Sequence, residues 1–136
     1  NSPIREEAFR YALAHSKVPL CYNGDLCSPE DIALFREKCP TVGSVMIGRG
    51  LIADPGMLSG GTDKAKLEGF MNELMAVYEV EFGGSRNAIF RLKENWGFLH
   101  DRFEGSEKLW KRLRKTTDAT EFKSISAEIF HTLNLK

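Results

Sequence analysis

The sequence lacks any hydrophobic run long enough to cross a bilayer, which takes about 20 consecutive apolar residues, and it has no charged-then-apolar signal segment. It also lacks net charge: 19 basic and 19 acidic residues cancel, so no overall field favours a nucleic-acid or membrane partner. Cysteine is scarce, and three cysteines without paired-ligand spacing argue against both a disulfide framework and a metal site. These absences predict a cytoplasmic protein with no metal and no membrane partner.

What the sequence has is an ordinary globular composition, 42% hydrophobic and 28% charged, over 136 residues. That length allows one ordinary domain or two small ones. The composition changes at Ser59–Thr62, from small apolar residues and glycine to long charged residues. We therefore predict two domains, residues 1–61 and 62–136, the first α/β and the second all-α.

Two short apolar runs, Val18–Tyr22 and Ser44–Ile47, each end in a glycine turn that carries a charged side chain. The turns are Asn23–Asp25 and Gly48–Gly50, and one helix-length segment separates them. Strand, helix and strand in this order predict two parallel strands whose turns open at the same edge. The first run is apolar on both faces, which predicts a strand buried on both sides. Unpaired N–H groups converge at such an edge, which predicts an anion site.

Local signals place helices around these strands. Ser28–Pro29 has the residue types of an N-cap and first helical position, and Cys39–Pro40 ends the same helix. A further helix over residues 2–16, opened by Ser2–Pro3, is predicted before the first strand. Cys21 lies inside the first strand and is predicted to be a small core residue.

The residues of the two turns differ in what they offer an anion. Asn23 and Gly24 suit unusual backbone angles and the close approach of a ligand. Asp25 suits bracing of the loop, because its carboxylate would repel a phosphate. Arg49 offers a permanent charge and a fork of donors for a phosphate. The alternative is that Arg49 pairs with Asp25 or Asp54 and only shapes the loop.

The second half is predicted to be four amphipathic helices joined by short turns, forming a small antiparallel bundle. They cover approximately residues 63–82, 85–103, 106–115 and 118–133. The apolar residues predicted to face inward are Leu67, Phe70, Met71, Leu74, Val77, Tyr78, Ile89, Leu92, Trp96, Leu99, Leu109, Trp110, Leu113, Phe122, Ile125, Ile129 and Phe130.

Basic residues cluster on the third of these helices, where Lys108–Lys115 contains five cations and no acid. A second basic cluster lies on the preceding helix, and Trp110 is interleaved with the first. Such residues neutralise RNA phosphates without reading sequence. The alternative is an ordinary solvated face. The residues predicted to bind RNA are Arg91, Lys93, Lys108, Lys111, Arg112 and Lys115.

The motif N-G-D-L-C-S-P-E-D at Asn23–Asp31, followed by V-M-I-G-R-G-L at Val45–Leu51, resembles the flavin-binding end of the tRNA-dihydrouridine synthases. Either glycine turn alone is a weak signal, but the ordered pair, spaced by one helix, is strong. The segment Arg91–Trp96 and the basic run resemble, less specifically, the helical domain with which that family holds tRNA. The resemblance implies a C-terminal part of a (β/α)8 (TIM) barrel with two parallel strands, since a whole barrel takes about 250 residues.

The resemblance also implies an activity, the reduction of a uridine in tRNA to 5,6-dihydrouridine by FMN that NADPH has reduced. The FMN phosphate would then be held by Asn23, Gly24, Asp25, Gly48 and Arg49. The family's proton-donating cysteine precedes this sequence, so Cys21 and Cys27 inherit no such role and the chain alone is expected to be inactive. Two alternatives stay open: another FMN-dependent barrel acting on a small molecule, or a non-enzymatic helical RNA-binding module.

Overall fold

A computed structural model describes residues 4–136, which form two compact units divided between Leu51 and Ile52. The predicted domain boundary, 61/62, falls in the loop between Ala53 and Lys64 and stays a prediction. The elements in chain order are α1 (Glu6–His15), β1 (Cys21–Tyr22), α2 (Pro29–Lys38), β2 (Ser44–Val45), α3 (Arg49–Ala53), α4 (Lys64–Glu81), α5 (Ser85–Leu99), a 3-10 turn (His100–Arg102), α6 (Glu107–Lys115) and α7 (Ala119–Thr132).

The first unit contains the predicted parallel strand pair, which the structure confirms. Cys21 lies opposite Ser44 and Tyr22 lies opposite Val45, and the Met46 N–H donates to the Tyr22 carbonyl at 2.7 Å. Both strands are shorter than the apolar runs that predicted them. The buried side chains of this unit form one cluster, consisting of Tyr22, Leu26, Phe35, Cys39 and Val42.

The prediction that the first strand is buried on both faces is wrong. Val18 is 67% exposed, and the side chain of Cys21 is also exposed. Successive strand residues point to opposite faces, so Tyr22 takes the face that the helices cover and Cys21 points away from it. Cys21 is therefore not a core residue.

The helix signals in the first unit are confirmed where the structure describes them. Ser28 caps α2, accepting a hydrogen bond from the Asp31 N–H at 3.1 Å, and the helix ends at Lys38. The predicted Ser2–Pro3 start of the first helix lies outside the described residues. That helix begins at Glu6, after Arg5 as N-cap.

The second unit is built on one buried cluster shared by α4, α5, α6 and α7. The predicted inward residues of α5 and α7 are confirmed. On α4 the prediction is wrong for Phe70 and Val77, each 54% exposed, because the buried row is Leu67, Met71 and Met75. Residues spaced by four share one helix face, and Phe70 and Val77 lie to one side of that row.

The last residues of the chain form backbone hydrogen bonds with the turn that follows α5. Phe103 and Leu135 form an antiparallel bridge, and the Lys136 N–H donates to the Arg102 carbonyl at 2.7 Å.

None of the helices described for residues 4–136 combines the length and apolar character needed to cross a membrane. The same residues contain no cluster of three or more histidine, cysteine or acidic side chains that could hold a metal ion.

Candidate functional site

The first glycine turn follows β1 directly and is shaped by contact with a tyrosine. A Cβ at Gly24 would lie 2.4 Å from the Tyr22 hydroxyl oxygen, so any other residue there would require the Tyr22 ring to move. The left-handed backbone belongs to the next residue, Asp25, whose φ is +40°. Aspartate tolerates this region better than most residues, which explains its place in the turn.

The second glycine turn touches the first. A Cβ at Gly50 would lie 2.5 Å from the Leu26 carbonyl oxygen and 3.0 Å from the Cys27 Cα, whereas a Cβ at Gly48 would meet nothing within 4 Å. Gly50 is buried at the start of α3. The absence of a side chain there allows the backbones of the two turns to approach each other closely.

The two turns line one cavity of about 490 Å³. All five residues predicted to bind a phosphate, Asn23, Gly24, Asp25, Gly48 and Arg49, lie along it. The sequence did not single out Arg5, Tyr22 or Met46 as cavity residues. The Tyr22 ring was assigned only to a strand, and no spacing signal links Arg5 to the turns.

Arg49 and Asp25, which both line this cavity, form an ion pair in which the guanidinium donates to the carboxylate. Each side chain is 48% exposed, so the pair is screened by solvent. The other predicted partner, Asp54, accepts instead from the Thr62 hydroxyl and pairs with Arg102 at 3.2 Å. The Arg49 pairing predicted as an alternative is therefore present, and its partner is Asp25.

The basic helix α6 presents its cations to solvent and its apolar residues to the core. Lys108, Lys111 and Lys115 are exposed, whereas Leu113 is fully buried. Arg112 is also exposed and lies 3.5 Å from a Glu128 carboxylate oxygen. This is the arrangement predicted from the spacing of these residues along the helix.

Two basic residues of α5, Arg91 and Lys93, were predicted to bind RNA, and their surroundings differ from those of the α6 cations. The Lys93 Nζ donates to the carbonyl of Thr116, at the end of α6, and burial lowers the pKa of this ammonium below its ordinary value. Arg91 stays exposed, 3.6 Å from Glu94 and with its guanidinium 5.4 Å from the centre of the Phe82 ring. The structure thus brings Lys93 to the end of the basic helix and leaves Arg91 on the outer surface of α5.

Comparison with known proteins covers almost the whole chain. Residues 7–134 match the model of the dihydrouridine synthase (Dus) family. A tRNA-dihydrouridine(16) synthase of Neisseria meningitidis serogroup B (strain ATCC BAA-335 / MC58) is 26% identical over 143 residues, which cover 97% of this chain and 43% of that protein. A protein with the same name from N. meningitidis serogroup A / serotype 4A (strain DSM 15465 / Z2491) is 26% identical over 129 residues, covering 87% of the chain and 38% of the relative.

The chain therefore spans less than half the length of the curated relatives that it matches. The match of the family model is not confined to the glycine turns, since it continues through all four helices of the second unit. The resemblance noted from the two turn motifs is thus confirmed across both units, and the chain belongs to the dihydrouridine synthase family.

Proposed function

We propose that the protein is a tRNA-dihydrouridine synthase, in which this chain supplies the FMN-phosphate site and part of the tRNA-binding surface. The observation that carries the proposal is the pair of touching glycine turns after two parallel strands, with Arg49 lining their common cavity. Family membership supports the same reaction, reduction of a uridine in tRNA to 5,6-dihydrouridine.

The residues of the cavity fit a phosphate. Gly24 lets the first turn pack against Tyr22 and Gly50 lets the two turns pack against each other, so backbone groups of both turns line one cavity. Asn23, Gly24 and Gly48 would offer backbone and amide donors, and Arg49 would offer charge. Asp25 would orient Arg49. FMN bound here would supply the hydride for reduction of the uridine 5,6 double bond, with NADPH as its reductant.

The surrounding architecture follows from the same proposal. We infer that β1 and β2 are the last two strands of a TIM barrel, in which phosphate is commonly held by the loops after those strands. We infer that α4–α7 form an antiparallel four-helix bundle. A cytoplasmic location, where tRNA and NADPH are both available, belongs to this proposal.

The tRNA surface is proposed on α6, with Lys108, Lys111, Arg112 and Lys115 as phosphate contacts. Exposure of these side chains on one side of the helix supports this proposal. Arg91 extends the surface onto α5. Lys93 was predicted as a further contact, but its bond to the Thr116 carbonyl gives it a bracing role at the end of α6.

The test uses the protein expressed from its complete coding sequence. The expected results are a bound flavin that is FMN, NADPH oxidation that depends on tRNA, and newly formed dihydrouridine found by mass spectrometry. Position 16 is the first to examine, because both relatives are named for it. Residues 1–136 expressed alone are expected to form no dihydrouridine.

Two other outcomes would replace the proposal. FMN binding with NADPH oxidation on a small molecule, and no affinity for tRNA, would favour a different flavin-dependent oxidoreductase. Affinity for tRNA without any affinity for FMN would favour a non-enzymatic RNA-binding module.

A further inference from the structure

Tyr22 occupies an unusual position between the core of the first unit and the glycine turns. It is 5% exposed, and its ring stacks on Phe35 with centroids 3.9 Å apart and planes 16° from parallel. Phe9 meets the same ring edge-on at 4.9 Å. Two aromatic neighbours therefore hold the ring in one orientation.

The hydroxyl of Tyr22 lies beside the first glycine turn. It lies against Gly24, and the residue lines the cavity together with Gly48, Arg49 and Gly50. Among residues 4–136 no group forms a hydrogen bond with the Tyr22 hydroxyl. The aromatic packing alone would be served equally well by phenylalanine. The hydroxyl is not one of the fully buried polar atoms that lack a partner, so it is accessible and free to bond to a ligand.

We propose that the Tyr22 hydroxyl is a further ligand of the phosphate group held by the two glycine turns, donating a hydrogen bond to a phosphate oxygen. This inference rests on the proposed FMN-phosphate site and adds a ligand to it. Burial raises the pKa of Tyr22, and the charges of Glu6 and Asp25 act in the same direction. The hydroxyl therefore keeps its proton at neutral pH and acts as a donor.

The position of Tyr22 also bears on the glycine at position 24. The backbone of Gly24 is not in the left-handed region, so the turn itself does not require glycine. A Cβ there would instead lie 2.4 Å from the Tyr22 hydroxyl oxygen, so glycine is what lets the tyrosine and the turn line one cavity together.

The experiment compares Tyr22→Phe with the unchanged protein, expressed from its complete coding sequence and freed of flavin. FMN, riboflavin and inorganic phosphate serve as probes, because riboflavin lacks the phosphate and inorganic phosphate lacks the flavin. We expect about 10–150-fold weaker binding of FMN and of inorganic phosphate, the loss of one hydrogen bond to a charged group. Riboflavin affinity should not change. Tyr11→Phe, at an exposed tyrosine of α1 that does not line the cavity, is the matched control.

The outcomes separate the two proposals. Unchanged affinity of Tyr22→Phe for FMN and phosphate, with the unchanged protein binding both, overturns the role of Tyr22 and leaves the phosphate site in place. An equal loss of riboflavin and FMN affinity also overturns it, since it shows that the hydroxyl only supports the fold. If the unchanged protein binds neither FMN nor phosphate, the proposed site and the role of Tyr22 fall together.

Discussion

Removal of the Arg49 guanidinium is the most direct perturbation of the proposed phosphate site. In Arg49→Ala the fold should persist, because the side chain is 48% exposed and its described polar contact is the pair with Asp25. A hydrogen bond to a charged group contributes about 1.5–3 kcal/mol, and half-exposure places Arg49 in the lower part of that range. We expect FMN affinity to fall about tenfold, equivalent to about 1.4 kcal/mol.

Part of that loss would come from Asp25 and not from the missing donor. Once Arg49 is gone, the Asp25 carboxylate remains at the cavity without its cation and repels the phosphate dianion. Arg49→Ala combined with Asp25→Asn should therefore bind FMN more tightly than Arg49→Ala alone. The difference between the two variants measures the repulsion.

The assay is fluorescence titration of the flavin-free protein with FMN, and with riboflavin in parallel. Riboflavin affinity should be the same for all variants, because only the phosphate meets Arg49 in the proposed complex. The reasoning is refuted if Arg49→Ala binds FMN within about twofold of the unchanged protein, or if riboflavin and FMN affinities fall together. Thermal unfolding of each variant checks that the fold is intact.

Three further perturbations test other parts of the molecule. Replacing Lys111 and Arg112 with alanine should weaken tRNA binding and leave FMN affinity unchanged. The slope of log affinity against log salt concentration should fall by about one for each lost phosphate contact. An unaltered slope would mean that these cations only form a solvated face. Ile129→Ala, at a fully buried position, should lower the free energy of unfolding by about 2–5 kcal/mol, whereas Val80→Ala, 80% exposed, should change it by less than about 0.5 kcal/mol in denaturant titration. Burial lowers the pKa of Lys93 from its ordinary value of 10.5. In the alkaline range below that value the unfolded state therefore binds more protons than the folded state. The contribution of Lys93 to the free energy of unfolding rises with pH in this range. Lys93→Met should remove that gain, and parallel stability–pH curves for both proteins would disprove it.

Much of the secondary structure could be predicted because its signals are local. The Ser28 cap, the end of α2 before Cys39 and the buried face of α5 each depend on residues within one or two turns of helix. The pairing of β1 with β2 could be predicted because one helix between two strands leaves few topologies.

Burial was less predictable, because it depends on what covers a surface. The apolar run at Val18–Tyr22 suggested a strand buried on both sides, but its pattern cannot say whether a second layer covers each face. The same limit applies to α4, where Phe70 and Val77 lie beside the buried row and only packing against the other helices decides which side faces inward. The periodicity of the apolar residues identifies two or three neighbouring stripes of one helix, but not which of them is buried.

Contacts between distant side chains could not be predicted. Lys93 and Lys111 look alike in the sequence, and only the position of the Thr116 carbonyl separates a bracing lysine from an exposed one. The role of Tyr22 was hidden for a similar reason. Its stacking partners come from two different helices, and its hydroxyl meets the following turn.

The ion pair between Arg49 and Asp25 bears on the two interpretations of Arg49 that the sequence left open, phosphate contact or loop support. A guanidinium has five N–H donors, and the Asp25 carboxylate accepts from one terminal nitrogen. The remaining donors form no other hydrogen bond among the described residues, and Arg49 lines the cavity. Pairing with Asp25 fixes the side chain beforehand, which reduces the conformational entropy lost when an anion binds. The two interpretations are therefore compatible, because loop support by Asp25 is what prepares Arg49 for a phosphate.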